Sequence, residues 1–213
     1  MKTTALIICA GTVAAASASI DLRITEMWPG NDPGTDITED WFEITNFGTT
    51  DWNLADGTLY FDDDSMLASA ADALMGITNI AAGETVVFVD DTSIDDFLAA
   101  WGNTGVQVGT YSGSGLSGGG DGVTLFFDIG DGGVDAGDIV DFQAYPNADP
   151  FGGQSYDVLL GTFSTVGNAS GAYQSLIANN LGQFGVASPG TIPAAPVLAP
   201  LAFAGLAISR RRR

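Results

Sequence analysis

Short apolar runs separated by polar turn residues recur along the middle of the chain. Residues 58–61, 84–89, 122–127 and 138–142 are rich in β-branched and aromatic side chains and are bounded by Gly, Asp or Asn. Runs of this length and composition are typical of β-strands. Helical periodicity is confined to one short segment, so the chain is predicted to be all-β, with its strands forming a sandwich or a barrel.

That segment comprises residues 93–101. It places Asp95 and Asp96 in a first helical turn, while Phe97, Leu98 and Trp101 share one face. Acidic residues near the positive end of a helix dipole and a single apolar face both favour a short helix. Gly and Asp are concentrated in the segments that follow, which predicts long loops between the later strands.

The N-terminus carries the pattern of a secretion signal. Lys2 precedes an apolar run over residues 5–16, and Ala16, Ser17 and Ala18 form the small-x-small pattern that signal peptidase accepts. Residues 1–18 are therefore predicted to be a signal peptide that is cleaved before Ser19. This processing predicts an exported protein.

The C-terminus, residues 191–213, combines a proline-rich hinge with an apolar segment and a basic end. Pro193 and Pro196 precede apolar residues 197–208, and the chain ends in Arg210, Arg211, Arg212 and Arg213. Twelve helical residues reach about 18 Å, whereas the hydrocarbon core of a membrane is roughly 30 Å thick. The segment is predicted to give transient or weak membrane anchoring, with the arginines on the cytoplasmic side.

This tail resembles the PEP-CTERM sorting signal, in which a Pro-Glu-Pro box precedes a hydrophobic helix and terminal arginines. Here Ala194 and Ala195 follow Pro193 where that signal has Glu-Pro. The resemblance implies processing by an exosortase-like enzyme. A simple tail anchor is the alternative interpretation.

Charge limits the partners of the region between the two ends. All 26 acidic residues fall within it, and its one cation is Arg23, so residues 19–190 carry 1 minus 26, or −25. Such a balance excludes nucleic acid as a direct partner, because phosphate binding needs clustered Lys and Arg. It favours solubility and attraction for divalent cations.

Residues 19–190 also resemble a lamin-tail domain, on segments that follow one another in the order of that family. These segments are residues 21–26, 40–46, 52–54, 80–89, 97–102, 115–125, 139–142 with Tyr145, and 188–190. The family's turn tryptophan is missing from residues 54–57, and Trp52 is a candidate to replace it in the core. The resemblance implies an immunoglobulin-like β-sandwich and a surface, adhesive or accessory role, with no catalytic residues to carry over.

The side chains available for catalysis are few. The sequence has no histidine, and its single cysteine and single lysine lie in the predicted signal peptide. Common general bases, thiol and amine nucleophiles are therefore missing from the predicted mature chain, and we expect no enzyme. A carboxylate-based glycoside hydrolase or accessory module is the second alternative, with Glu43 beside Trp41 as a place where a sugar could stack.

One acidic loop resembles a calcium-binding EF-hand or dockerin loop. Asp128, Asp131, Asp135 and Asp138 are interleaved with glycines, with Gly132 at the tight-turn position. Calcium prefers flexible clusters of hard oxygen ligands, so these four aspartates are the candidate metal ligands and calcium the candidate cofactor.

We therefore expect a non-enzymatic structural or adhesive protein at the cell surface, associated with the outer membrane, or extracellular. Signal peptidase and an exosortase-like enzyme are its expected processing partners. Extracellular polysaccharide or surface proteins are the candidate binding partners. A calcium-dependent binding module remains the alternative.

Overall fold

The computed structural model describes residues 18–90, 94–102 and 105–191. Most regular structure in these residues is β-strand, as predicted. The elements are, in chain order, β1 (Leu22–Trp28), β2 (Trp41–Asn46), β3 (Trp52–Asn53), β4 (Thr58–Asp62), β5 (Asp72–Ala73), β6 (Asn79–Ile80), β7 (Thr85–Asp90), α1 (Ile94–Trp101), β8 (Gln107–Tyr111), β9 (Asp121–Asp128), β10 (Ile139–Tyr145), β11 (Tyr156–Asp157), β12 (Thr162–Phe163), β13 (Tyr173–Ala178) and β14 (Phe184–Ala187).

Two larger sheets and two strand pairs make up the fold. One sheet has six strands in the order β12-β11-β1-β2-β7-β8, and the other has four in the order β10-β9-β4-β5. The remaining pairs are β13 with β14 and β3 with β6. Neighbouring strands are antiparallel except for β7 and β8, whose parallel pairing requires the crossover that contains α1.

The main core lies between the two larger sheets, which gives the fold its sandwich-like character. Phe42 and Phe88 from the six-stranded sheet meet Phe61 from the four-stranded sheet, with ring centroids 5.1 Å apart for Phe42–Phe61 and 5.9 Å for Phe42–Phe88. Tyr111 closes the group at 4.5 Å from Phe61. Trp52 is buried in the same core, as the sequence indicated.

A second core covers the opposite face of the six-stranded sheet. Trp28 and Trp41 are cross-strand partners on β1 and β2, and their rings stack at 6.1 Å with an interplanar angle of 1°. Trp101 of α1 meets the Trp28 ring edge-on at 5.2 Å. Gly185 of β14 also belongs here, because a Cβ at this position would lie 2.6 Å from the Trp28 ring. The large sheet is thus buried on both faces.

The helix predicted over residues 93–101 is confirmed as α1, which begins at Ile94; Ser93 lies outside the described residues. Asp95 and Asp96 occupy its first turn, and Phe97 and Trp101 are buried. Gly102 follows with φ +80°, a left-handed conformation that ends helices at little cost for glycine. The four predicted strand runs are likewise confirmed as β4, β7, β9 and β10, with boundaries shifted by at most three residues.

Candidate functional site

Three acidic side chains are buried together on the face of the large sheet opposite the main core. Glu26 of β1 lies directly across from Glu43 of β2, and also across from Asp157 of β11. Their exposed fractions are 2%, 1% and 2%, respectively. Side chains directly opposite one another on one face of an antiparallel pair are close neighbours, and like charges there are destabilising. These residues form what we call the buried acid cluster.

An irregularity in β1 brings the cluster together. The pairing register shifts between Ile24 and Glu26, so Ile24 pairs with Ile44 while Glu26 pairs with Glu43. Such a β-bulge gives two residues of one strand a single partner on the other. Thr25, the additional residue, also turns its hydroxyl toward this face, where Oγ1 donates to Glu43 Oε1 at 2.5 Å.

Glu26 accepts its hydrogen bonds on one oxygen only. Oε1 receives the Ser155 hydroxyl at 2.5 Å, the Ser188 backbone N–H at 2.9 Å and the Ser188 hydroxyl at 3.1 Å. Oε2 is buried and has no hydrogen-bond partner among the described residues. One carboxyl oxygen is therefore well satisfied and the other is not.

The segment that covers the cluster is residues 188–191, which we call the strap. Besides the Ser188 bonds to Glu26, the strap donates the Gly190 backbone N–H to Glu43 Oε2 at 2.6 Å. Thr191 Oγ1 donates to the carbonyl oxygens of Ser170 at 2.8 Å and Ser188 at 2.7 Å. Ser170 in turn donates its hydroxyl to Asp157. The strap thus contacts both glutamates directly.

No ion pair neutralises the cluster within the described residues. Arg23, the one basic residue there, pairs instead with Asp21 at 2.6 Å, and its side chain is 58% exposed. Burial raises the pKa of Glu26 to about 7 despite the opposing hydrogen bonds from Ser155 and Ser188. Burial, followed by the charge of Glu26, raises the pKa of Glu43 well above its usual range.

A separate groove opens on the surface between residues 36–39, α1 and β13, with a volume of about 220 Å³. Asp36, Glu39 and Asp96 line it with carboxylates, and Ile37, Ala99 and Ile177 supply apolar surface. The adjoining β13–β14 hairpin also exposes Leu176, Leu181 and Phe184. The groove therefore combines negative charge with apolar contact area.

The acidic loop predicted to bind calcium joins β9 to β10. Asp128 is buried and its Oδ1 accepts the Gly130 N–H at 2.6 Å, while Asp131 is exposed. Asp135 and Asp138 cap a short 3-10 helix, Ala136–Asp138: Asp135 Oδ1 accepts the Gly137 N–H and Asp138 Oδ2 accepts the Asp135 N–H. In the described part of the chain, no three acidic side chains are grouped so as to hold a metal ion. Calcium binding at this loop stays a prediction.

The predicted processing residues lie mostly outside the described residues. Ala16 and the tail residues Pro193, Pro196 and Arg210, Arg211, Arg212 and Arg213 are among those not described, as is the predicted anchoring segment 197–208. Ala18 and Ser19 are exposed, and the Ser19 carbonyl accepts backbone N–H groups from Thr49 at 2.8 Å and Thr50 at 3.2 Å. Among the described residues, no helix has the length and apolarity needed to cross a membrane.

The suggested sugar-stacking position is corrected by the structure. Trp41 is enclosed by Trp28, Phe97 and Trp101, and Glu43 is sealed beneath the strap, so neither side chain reaches the surface. Sequence reasoning also missed the pairing of Glu26 with Glu43. The available signal was a single glutamate inside each of two otherwise strand-like runs, at residues 22–28 and 41–46.

No family model, curated protein or solved structure matches the chain.

Proposed function

We propose that this chain is an exported, non-enzymatic surface or matrix protein that binds its partner through the groove formed by residues 36–39, α1 and β13. The observation that carries the proposal is the composition of the groove, which is lined by three acidic residues together with three apolar residues. The groove has no histidine, cysteine or lysine side chain, so carboxylates are the ionisable groups that line it. Its chemistry is suited to holding a ligand.

The charge of the protein defines the kind of ligand. With 26 acidic residues and one cation in residues 19–190, the surface attracts cationic groups and repels anionic polymers. Apolar area in the groove and on the β13–β14 hairpin adds contact surface for ring faces or methylene groups. A polysaccharide that carries amines meets both requirements.

Compartment and processing belong to the same proposal. The N-terminal pattern ending at Ala18 supports export by signal peptidase, and the hydrophobic, arginine-terminated tail supports sorting by an exosortase-like enzyme. The two larger sheets, which enclose the main core, support an immunoglobulin-like, lamin-tail sandwich over residues 19–190. A cell-surface, outer membrane-associated or extracellular location follows from these proposals.

Binding can be measured with chitosan oligomers as the cationic probe and their fully acetylated counterparts as the neutral control. We expect Asp36→Asn combined with Glu39→Gln to lower the affinity for chitosan about tenfold at low salt, since two carboxylates of the groove are neutralised. Asp131→Asn combined with Asp135→Asn is the matched control, because it removes the same charge from an exposed loop elsewhere. Equal losses of affinity in both double variants would mean that binding depends only on the overall charge, and would contradict binding in the groove.

Processing has its own readout. N-terminal sequencing of protein recovered outside the cytoplasm should begin at Ser19, and deletion of residues 210–213 should release the protein into the medium or stall its sorting. An intact Met1 on exported protein, or unchanged location and size after the deletion, would count against these two signals.

A further inference from the structure

The strap makes the solvation of the buried acid cluster depend on a few hydrogen bonds. Ser188 covers Glu26 and Gly190 covers Glu43, through backbone N–H groups at 2.9 Å and 2.6 Å. Behind the strap, Ser155 and Thr25 complete the hydroxyl donors to the same two carboxyls. Detaching residues 188–191 would open a route for water to both glutamates at once.

The groups around the pair make full ionisation costly. Asp157 faces Glu26 from β11, and the ring of Tyr173 approaches from β13, where burial, then Glu26 and Glu43, raise the pKa of its phenol to about 12. None of these four side chains, three carboxyls and one phenol, can carry a positive charge. Two neighbouring carboxylates that are buried without a cation cannot both ionise cheaply, because each loses its hydration and repels the other.

Two effects of ionisation oppose each other at the strap. The N–H and O–H donors form stronger bonds to a carboxylate than to a neutral carboxyl, which favours a closed strap. Burial removes the hydration of the charge, which favours an open strap. The pKa of both Glu26 and Glu43 is raised by burial although the strap donates hydrogen bonds to them, and the buried Oε2 of Glu26 has no hydrogen-bond partner among the described residues. Water admitted by an open strap would solvate that oxygen, so we expect ionisation to favour opening.

We propose that Glu26 and Glu43 form a protonation-dependent latch: the strap, residues 188–191, stays closed while the pair holds a proton and opens when that proton is lost to solvent. Glu26 Oε2, which is buried and lacks a hydrogen-bond partner among the described residues, is the atom at which the proton is held at least cost. The proposal concerns the folded protein itself and does not rest on the groove or on the sorting signal.

Hydrogen–deuterium exchange of the full chain tests the latch. After correction for intrinsic exchange, the opening constant of peptides covering residues 186–191 should rise by up to about tenfold per pH unit between about pH 5 and about pH 7, as expected for loss of one linked proton. Peptides covering β2 and β7 should show a smaller slope, because they report opening of the whole sheet. An identical slope in both regions would overturn a local latch.

Glutamine variants separate the pair from general charge effects. Glu26→Gln and Glu43→Gln keep an oxygen acceptor for Ser188 or Gly190 and remove the ionisation, so the combined variant should lose the pH slope of the strap. Asp131→Asn combined with Asp135→Asn is the matched control, since it removes two exposed carboxylates and should leave the slope unchanged. A strap slope in the double variant equal to that of the wild type would contradict the proposal.

An infrared measurement needs no variant and covers the case in which the double variant fails to fold. The wild-type chain near pH 6 should show the C=O stretch of protonated carboxylic acids. Burial also raises the pKa of Asp32 to about 6 and of Asp40 to about 7, so the part of the band that declines in parallel with strap opening is the part that reports the pair. A spectrum with ionised carboxylates alone at that pH would overturn the latch.

Discussion

Two groups of acidic residues in this protein differ sharply in how their charge is accommodated. Glu26 and Glu43 lie in the interior with exposed fractions of 2% and 1%, whereas Asp131 and Asp135 stand in the open β9–β10 loop. Charges on exposed loops are surrounded by water and dissolved ions, and near 0.1 M salt their interactions fade over about 10 Å. The buried pair is shielded from that screening, so a proton is the counter-charge available to it.

The number of carboxylates in the chain therefore says little about which of them control the stability of the fold. Most of the 26 acids add to a diffuse negative surface, which salt relieves. The buried pair instead ties folding to proton concentration.

Stability should fall as pH rises through neutrality. The pKa of Glu26 is about 7 in the folded protein and roughly 4.3 in an unfolded chain, so its contribution is complete below the unfolded value and is lost as pH rises through the folded one. One such group corresponds to about 4 kcal/mol in the free energy of unfolding. Urea unfolding at several pH values in about 1 M NaCl measures this, since that salt shortens the screening length to about 3 Å.

Glu26→Gln combined with Glu43→Gln should remove the part of this dependence that comes from the buried pair, and Glu39→Gln should retain it. Burial also raises the pKa of Asp32 to about 6 and of Asp40 to about 7, so a residual dependence should remain in the double variant. If the wild-type free energy of unfolding were flat or rising between about pH 5 and about pH 7, the buried pair would not be the dominant titrating unit.

The loop should respond to metal if the calcium prediction is correct. A bound ion stabilises the folded state by RT ln(1 + [L]/Kd), about 2.7 kcal/mol when calcium is at ~100 times its dissociation constant. Thermal melts at low salt in CaCl2 should then exceed those in matched MgCl2, and Asp131→Asn with Asp135→Asn should abolish the excess. Equal responses to the two ions would make the loop a screened acidic surface.

Removing a donor from the buried pair should cost more than removing the same group from the surface. Ser155 is fully buried and its hydroxyl donates to Glu26 Oε1, so Ser155→Ala leaves a buried carboxyl with less support. We expect a loss of about 2 kcal/mol at pH 8, where Glu26 is ionised, and a smaller loss at pH 5. Ser117→Ala, at an exposed serine, is the control and should change the free energy of unfolding little. Equal losses from Ser155→Ala at both pH values would mean that the effect of Ser155 does not depend on the ionisation of Glu26.

The strands and the helix could be predicted from local patterns, because these elements depend on residues that are neighbours in sequence. The runs at β4, β7, β9 and β10 and the apolar face of α1 could all be identified from side-chain type and spacing. Burial of the large sheet on both faces was less visible. In β2 every residue is buried, including Glu43 and Thr45, so the usual alternation of apolar and polar residues breaks down.

The buried acid cluster could not be predicted because it depends on register. Glu26 and Glu43 meet only after the shift between Ile24 and Glu26, and a one-residue change in register moves a side chain to the opposite face. The strap adds donors from residues 188–190, which are remote in sequence from both glutamates. The loop at residues 128–138 could be identified as a candidate site because its aspartates are close together in sequence. Two of them, however, cap a single helical turn.

The smallest expected effect concerns Arg23, the one cation among the described residues. Its guanidinium pairs with Asp21 at 2.6 Å and lies 5.4 Å from the centre of the Phe47 ring. Exposed ion pairs contribute between zero and about 1 kcal/mol, because water and salt weaken them and both side chains lose freedom. Arg23→Gln should therefore lower the free energy of unfolding by less than about 1 kcal/mol in urea titrations.

The cost of Arg23→Gln should also depend on salt concentration. At about 0.01 M salt, charge interactions extend over about 30 Å, so the lost cation is felt by many surface carboxylates; near 1 M that reach falls to about 3 Å and the cost of Arg23→Gln should approach zero. A cost of several kcal/mol that survives high salt would mean that Arg23 neutralises the interior acids across the sheet. In that case the buried pair would have a cationic partner. It would then no longer differ from the surface carboxylates by depending on a bound proton instead of on dissolved ions.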